Sequence, residues 1–282
     1  MTTIIITESQ LKEIYAVEEF AKNGDYNKLD IIKTIDYMNK LYIDSISKHN
    51  CLSESVLCDC GAGFGWLSFA FLLAGGKKVV IVEPHKNKLI AAKKIAKILK
   101  VDSQCEFRSD YLQAIDLPDN AIDIFVSVET LEHVGEKNII PSIDNMLRLT
   151  KSMVIVTTPN QISPWVSHDS KVIFSHWLPI TWRPFYCRLF GNHNKTFNHF
   201  VKPWQLFSWR KKFVPISKAL TFESYEAWLA HYPFYSPYGG HFKQAPSWPM
   251  KLYFRIISTL FGRYSFCFCP NLASVWIAKA KK

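Results

Sequence analysis

The stretch Val56-Leu57-Cys58-Asp59-Cys60-Gly61-Ala62-Gly63-Phe64-Gly65 decides the fold. It reads as a short buried strand that closes on an acidic residue and runs into a turn with three alternating glycines. Glycine has no Cβ and tolerates positive φ, so such a loop lets backbone approach a ligand closely. A helix opening at Trp66-Leu67-Ser68-Phe69 adds unpaired N–H groups at the same place. Together they mark a pocket for a cofactor.

Downstream the pattern alternates between strand and helix. The first strand is Val56–Asp59, and its helix spans about Trp66–Ala74 and stops at Gly75-Gly76. Lys78–Glu83 predicts a second strand and Lys86–Leu99 a Lys-rich helix. Gln104–Arg108, Ala121–Val128 and Met153–Thr158 predict strands three to five, with a helix at Lys137–Leu149 before the fifth. Such alternation implies a doubly wound, mostly parallel sheet with helices on both faces. Ligands of these sheets sit at the carboxyl ends of the strands.

Upstream, apolar periodicity predicts helices over Glu8–Lys22 and Leu29–Ile46. They precede the glycine loop and are placed to form a flap over its ligand. After Pro159 the periodicity weakens, and prolines at 164, 179, 184, 203 and 215 interrupt long helices. Trp177–Tyr186 is aromatic and irregular, and Pro203 opens a helix at its first position. Phe213–Phe222 predicts a strand, Met250–Phe261 an amphipathic helix, and Ala273–Ala278 a final strand before a Lys-rich tail. The expected organisation is an N-terminal helical cap (1–50), a Rossmann-like core (51–160), and a substrate-side insertion with the closing strands of a seven-stranded sheet (161–282).

Composition bounds the function. With 282 residues, 48% of them apolar, the chain has enough material for a sizeable core and is not a disordered protein. No apolar run approaches the roughly 18 residues of a spanning helix. Met1–Thr7 lacks the basic segment and cleavage site of a signal peptide, so a cytoplasmic location is the expectation. Cys58/Cys60 and Cys267/Cys269 are pairs two residues apart, the spacing of side chains packed on one face of a strand, and no metal centre is expected. Charge divides unevenly. Residues 1–160 carry 18 Lys+Arg and 21 Asp+Glu, net −3, whereas residues 161–282 carry 16 and 3, net +13. Eight of the 9 tryptophans also follow residue 160, so the second half is expected to meet something anionic.

The glycine loop departs from the dinucleotide fingerprint G-x-G-x-x-G, because Trp66 stands at the sixth position and the third glycine arrives early at Gly65. A phosphate-binding Gly-Lys-Ser/Thr ending is absent. What stands is Asp59-x-Gly61-x-Gly63-x-Gly65. Glu83 closes the second strand, Ser109-Asp110-Tyr111 follows the third, and Val128-Glu129-Thr130-Leu131-Glu132-His133-Val134 follows the fourth.

In that order these segments resemble the class I S-adenosylmethionine-dependent methyltransferases. The Glu-x-Leu-Glu-His-Val segment is similar to that of the small-molecule type, including the ubiquinone-biosynthesis O-methyltransferases. Thr158-Pro159-Asn160 resembles the end of the family's fifth strand. The resemblance covers about residues 50–160 and, more loosely, the final strand. It implies that Asp59, Gly61, Ala62, Gly63, Gly65, Glu83, Pro84, Asp110, Tyr111, Val128 and Glu129 bind S-adenosyl-L-methionine. It further implies that Glu83 grips the ribose hydroxyls and that Asp110 receives the adenine amine. Both are donors that a carboxylate accepts well. Asp59 suits the cationic methionyl part.

Methyl transfer to a hydroxyl needs a general base. His199 is the preferred candidate, with His133, Glu132 and Glu129 beside the strand ends and His168, His176 and Asn198 able to reach across from the second half. That basic, aromatic half has three readings: a packed cap with a solvated face, an acceptor pocket beside an anionic membrane or phosphate-bearing lipid, or a surface for single-stranded RNA through Arg210, Lys211 and Lys212. The expected activity is methyl transfer to a small molecule, an oxygen on a glycan, glycolipid or isoprenoid-like intermediate. RNA methylation and cofactor binding without catalysis are the alternatives. The Asn-Pro-Pro-Tyr-type motif of base-N methyltransferases is absent after the fourth strand.

Overall fold

The computed structural model describes residues 6–24, 26–165, 168–194, 197–232 and 245–280. Residues 1–5, read above for a signal, and the last two of the Lys-rich tail lie outside them. Seven strands form one sheet: β1 (Val56–Cys60), β2 (Lys78–Val82), β3 (Cys105–Arg108), β4 (Ile122–Val128), β5 (Thr150–Thr157), β6 (Phe213–Pro215) and β7 (Ser274–Ala278). Their order is β3-β2-β1-β4-β5-β7-β6. The first five are parallel, and β7 runs antiparallel between β5 and β6. The order reverses between β1 and β4, and a crevice opens there beyond the strand ends.

Alternate residues of each strand face opposite layers. Leu57, Val79, Ile81, Ile124, Val126 and Ile155 pack in one buried cluster, while Cys58, Cys60, Val80, Phe125, Val154 and Trp276 pack in another. The first layer holds α1 (Glu8–Tyr15), α2 (Glu18–Ala21), α3 (Ile31–Met38), α4 (Asp44–His49), α5 (Trp66–Leu73) and α6 (Lys86–Ile98). The second holds α7 (Ile139–Leu149) and a 3₁₀ segment, Pro203–Lys211. Trp209 of that segment is fully buried, donates its indole N–H to the Ile143 carbonyl at 3.0 Å, and meets Trp276 edge-on at 5.5 Å. The second half of the chain therefore shares the core of the sheet. It also contributes α8 (Arg183–Leu189), α9 (Tyr225–His231) and α10 (Trp248–Phe261).

Three expected elements differ. The helix over Glu8–Lys22 breaks at Val17, whose extended backbone starts α2 and lets Phe20 pack edge-on against Phe64 and Trp66. The helix over Leu29–Ile46 starts at Ile31, where Asp30 accepts a capping bond from the Lys33 N–H, and runs through a π-helical turn at Asn39–Ile43 into α4. The strand over Phe213–Phe222 shortens to β6, which ends at Pro215, a residue with no N–H for a ladder. Among the described residues, no helix is long and apolar enough to cross a membrane.

Candidate active site

A cavity of about 700 Å³ opens at the crevice between the ends of β1 and β4. One end is lined by Asp59, Gly61, Ala62, Gly63, Glu83 and Pro84. Gly61 has φ +74°, and a Cβ there would clash with the Thr130 side chain. The loop after β1 thus touches the loop after β4 directly. Thr130 Oγ1 completes this joint by donating toward the carbonyls of Cys60 and Val128. Gly63 also has positive φ, but a Cβ there meets nothing within 4 Å, so its surface is open.

The two acidic residues are held differently. Asp59 is buried, and its Oδ2 accepts from the Ser68 hydroxyl at 2.7 Å and the Ser68 N–H at 3.2 Å, which ties β1 to the first turn of α5. Burial pushes its carboxyl up to about 6 despite those bonds, and the Glu83 charge adds to the rise. Glu83 is buried too, with Oε2 accepting from the Gly63 N–H at 2.8 Å and Oε1 from the His85 N–H at 2.9 Å. Its carboxylate spans the glycine loop and the turn after β2.

A nucleoside bearing a positive sulfur fits this donor set. The open backbone at Gly63 accepts close approach, Glu83 offers carboxylate oxygens to hydroxyl donors, and Asp59 offers negative charge to a cation. Asp110, Tyr111 and Gly65 are not among the lining residues. Asp110 Oδ2 is taken by Arg108 Nε at 2.5 Å, Tyr111 is 63% exposed, and Gly65 caps α5 with φ +88°. Tyr26, Tyr37, Lys40, Leu41 and Tyr42 line the cavity from the N-terminal helices, the position expected of a flap. Lys40, Leu41 and Tyr42 lie on the π-helical turn, which shifts the helical register locally.

The lining continues from the glycine loop through Thr130 to Val128, Glu129 and His133, and includes Leu220, Phe222, Trp228, His231, Tyr232 and Asn271 from the second half. Glu129 has φ +47°, unusual for a residue with a side chain. That backbone is pinned by its N–H on the Thr157 carbonyl at 2.8 Å, and its Oε1 accepts from Asn271 Nδ2 at 2.6 Å. Glu132 is 1% exposed; Oε2 accepts from the Thr158 hydroxyl at 2.9 Å, while Oε1 is buried with no hydrogen-bond partner. Burial, then the Glu129 charge, raises the Glu132 carboxyl well above its ordinary value. His133 is half-exposed, and burial followed by His168 lowers it.

His199, the base preferred from sequence, is not among the lining residues. Its Nδ1 lies 3.7 Å from the exposed Glu136 carboxylate. His176 is buried against the Ser163 carbonyl at 2.6 Å. His168 instead reaches Glu132, with its Nε2 3.7 Å from Oε1. Asn271 and the aromatics of 220–232 escaped the sequence reading, because no local periodicity distinguishes a cavity wall from packed core.

Residues 57–153 match the family model of a methyltransferase domain. No curated protein matches the chain by sequence. Among solved structures, the chain is similar to a SAM-dependent methyltransferase from Aquifex aeolicus, with 18% identity over 48% of this chain and 75% of that one and a TM-score of 0.37. It is similar to the YcgJ protein from Bacillus subtilis, with 15% identity over 86% and 99% and a TM-score of 0.47. It is also similar to magnesium protoporphyrin IX methyltransferase from Synechocystis, solved with bound SAM, with 18% identity over 53% and 68% and a TM-score of 0.39.

Proposed function

With the chain an S-adenosylmethionine-dependent methyltransferase, we propose that it methylates an oxygen of a small, partly apolar acceptor held at the aromatic end of the cavity. One observation carries the reading: the donor-side residues and the wall of Leu220, Phe222, Trp228 and Tyr232 line one continuous space. Its volume of about 700 Å³ lies in the range of small-molecule sites, about 300–1,000 Å³. A glycan, glycolipid or isoprenoid-like hydroxyl remains the acceptor class, and the +13 second half favours one that carries negative charge nearby.

When bound, S-adenosylmethionine supplies an electrophilic methyl on a positively charged sulfur, which leaves as a neutral thioether. Asp59, Gly61, Gly63 and Glu83 would hold it. The chain's own work is then orientation: the glycine loop and Glu83 fix one partner while the aromatic wall fixes the other. Glu129 and His133 stand at the acceptor end, within the cavity, to take or polarise the acceptor proton.

Incubation with methyl-labelled S-adenosylmethionine tests the reading, with extracted small molecules and total RNA offered in separate reactions. Label in an alkali-stable ether of a small molecule is the expected result. Label confined to RNA, or to nitrogen, would overturn it.

A further inference from the structure

Glu132, His133 and His168 present one ligand atom each, all within 4.8 Å of one another. His133 Nε2 lies 3.9 Å and His168 Nε2 3.7 Å from Glu132 Oε1, the buried oxygen with no hydrogen-bond partner. Bonds of about 2.0–2.2 Å to one ion put ligand atoms about 3.0–3.5 Å apart, so each imidazole nitrogen has only a few tenths of an ångström to close toward Glu132 Oε1. The opposite ring nitrogens are already engaged. His168 Nδ1 sits 2.8 Å from Asp169 Oδ1, and His133 Nδ1 sits 3.2 Å from Asn198 Oδ1. Asn198 in turn donates its side-chain and backbone N–H groups to the Asp169 carboxylate at 2.7 and 2.8 Å. Oxygen acceptors on Nδ1 fix the tautomer that leaves Nε2 free to ligate, the arrangement found behind metal-bound histidines.

We propose that Glu132, His133 and His168 bind a divalent transition-metal cation at the acceptor end of the cavity. Two imidazoles and one carboxylate suit Mn²⁺, Fe²⁺, Co²⁺ or Zn²⁺, and three protein ligands leave positions open for acceptor oxygens. The ion also answers the orphaned Glu132 oxygen, since a buried acceptor without a partner is costly. His133 lines the cavity beside Glu129 and Thr130, whereas Glu132 and His168 are not among the lining residues, so the site meets the acceptor space through His133. The catalytic consequence rests on the oxygen-acceptor reading above. A hydroxyl bound to the cation loses its proton to solvent at lower pH, and the oxygen that attacks is then an alkoxide. In this account His133 and Glu132 act as ligands, so the polarising role given to His133 above passes to the cation. The expectation from sequence of no metal centre considered only the cysteines. His168 lies far along the chain from Glu132-His133, and its approach depends on the second half folding back.

The test needs neither acceptor nor methyl donor, so its failure is separable from failure of the functional reading. The purified 282-residue chain, stripped with chelator, is titrated with Mn²⁺ followed by electron paramagnetic resonance, and with Co²⁺ followed by visible absorption. One equivalent bound below about 100 µM, with Co²⁺ bands of low-symmetry nitrogen and oxygen ligation, is expected. Glu132→Gln and His168→Ala should each weaken binding at least tenfold, and Asp169→Asn roughly tenfold through its hold on His168. His49→Ala, at the Glu223 pair, should bind as wild type. Circular dichroism checks that each variant is folded. No saturable site in the wild type, or equal binding by wild type, Glu132→Gln and His168→Ala, overturns the proposal.

Discussion

The two ends of the cavity are assembled at different ranges along the chain. At the proposed donor end, Asp59 and the glycine loop belong to β1 and its turn, and Glu83 follows β2; hydrogen bonds from backbone N–H groups hold the Glu83 carboxylate. At the proposed acceptor end, Glu129 and His133 follow β4, while Phe222, Trp228 and Asn271 arrive from the stretch around α9 and before β7. Side chains hold that end, as in the bond between Asn271 and Glu129 across 142 positions of sequence. A loop whose glycine backbone packs against Thr130 tolerates little change of shape. An acceptor site made of distant side chains is free to vary while the sheet beneath it stays the same.

The largest expected effect bears on whether the halves are separable. Trp209→Ala empties a fully buried indole site between α7 and β7 and leaves the Ile143 carbonyl without its donor. A loss of about 3–5 kcal/mol is expected in chemical denaturation. A single transition shifted to lower denaturant is the predicted form. Two transitions, with only the second half lost, would break the picture of one shared sheet.

Next in size is a pair of substitutions within the donor loop. Gly61→Ala places a methyl into Thr130 and holds alanine at φ +74°. In the folded chain Gly63→Ala meets no protein atom and carries only the conformational cost at φ +59°, roughly 1–2 kcal/mol for a left-handed residue, although its methyl enters the space open to the ligand. Folding stability, measured by chemical denaturation, should fall clearly more for Gly61→Ala than for Gly63→Ala. Equal losses would mean that the joint between the two loops does not shape the donor end.

The smallest is a pH effect. Asp59 ionises at about 6, so it is charged above that pH and neutral below it. A cationic ligand binds the charged form better. Its affinity should therefore be level above pH 7 and fall about tenfold by pH 5, the ionised fraction there being about one in eleven. Asp59→Asn should bind more weakly throughout and flatten the profile. A wild-type profile that stays level to pH 5 would separate Asp59 from the ligand's charge.

That Asp59, Gly61, Gly63 and Glu83 share one cavity was legible because their signals are local. Asp59, the glycines and Glu83 stand at fixed offsets from strands whose apolar runs are plain in sequence, and all of them line the cavity except Gly65. Asp110 has the expected place after β3, but Arg108, two residues before it, takes its carboxylate. A neighbouring cation of that kind is visible in sequence, whereas its rotamer is not. The acceptor end was hardly legible. His199 was preferred over His168 as a base, yet the Asp169–Asn198 contact turns His168 toward Glu132 and leaves His199 beside Glu136. Asp169 and Lys171 adopt left-handed backbone in that stretch, and no repeat or periodicity announces its path.

The central claim is that S-adenosylmethionine binds between the glycine loop and Glu83. Calorimetric titration of the donor into wild type and Glu83→Gln tests it most directly. Glutamine keeps the size and removes the charge that strengthens the hydrogen bonds, a difference of about 1 kcal/mol for each bond to the ligand, and its NH2 can no longer accept from one of the two backbone N–H groups. One site per chain in the wild type and roughly 10- to 100-fold weaker binding in Glu83→Gln is the prediction. Absence of binding to the wild type, or equal affinity for both folded proteins, would contradict it.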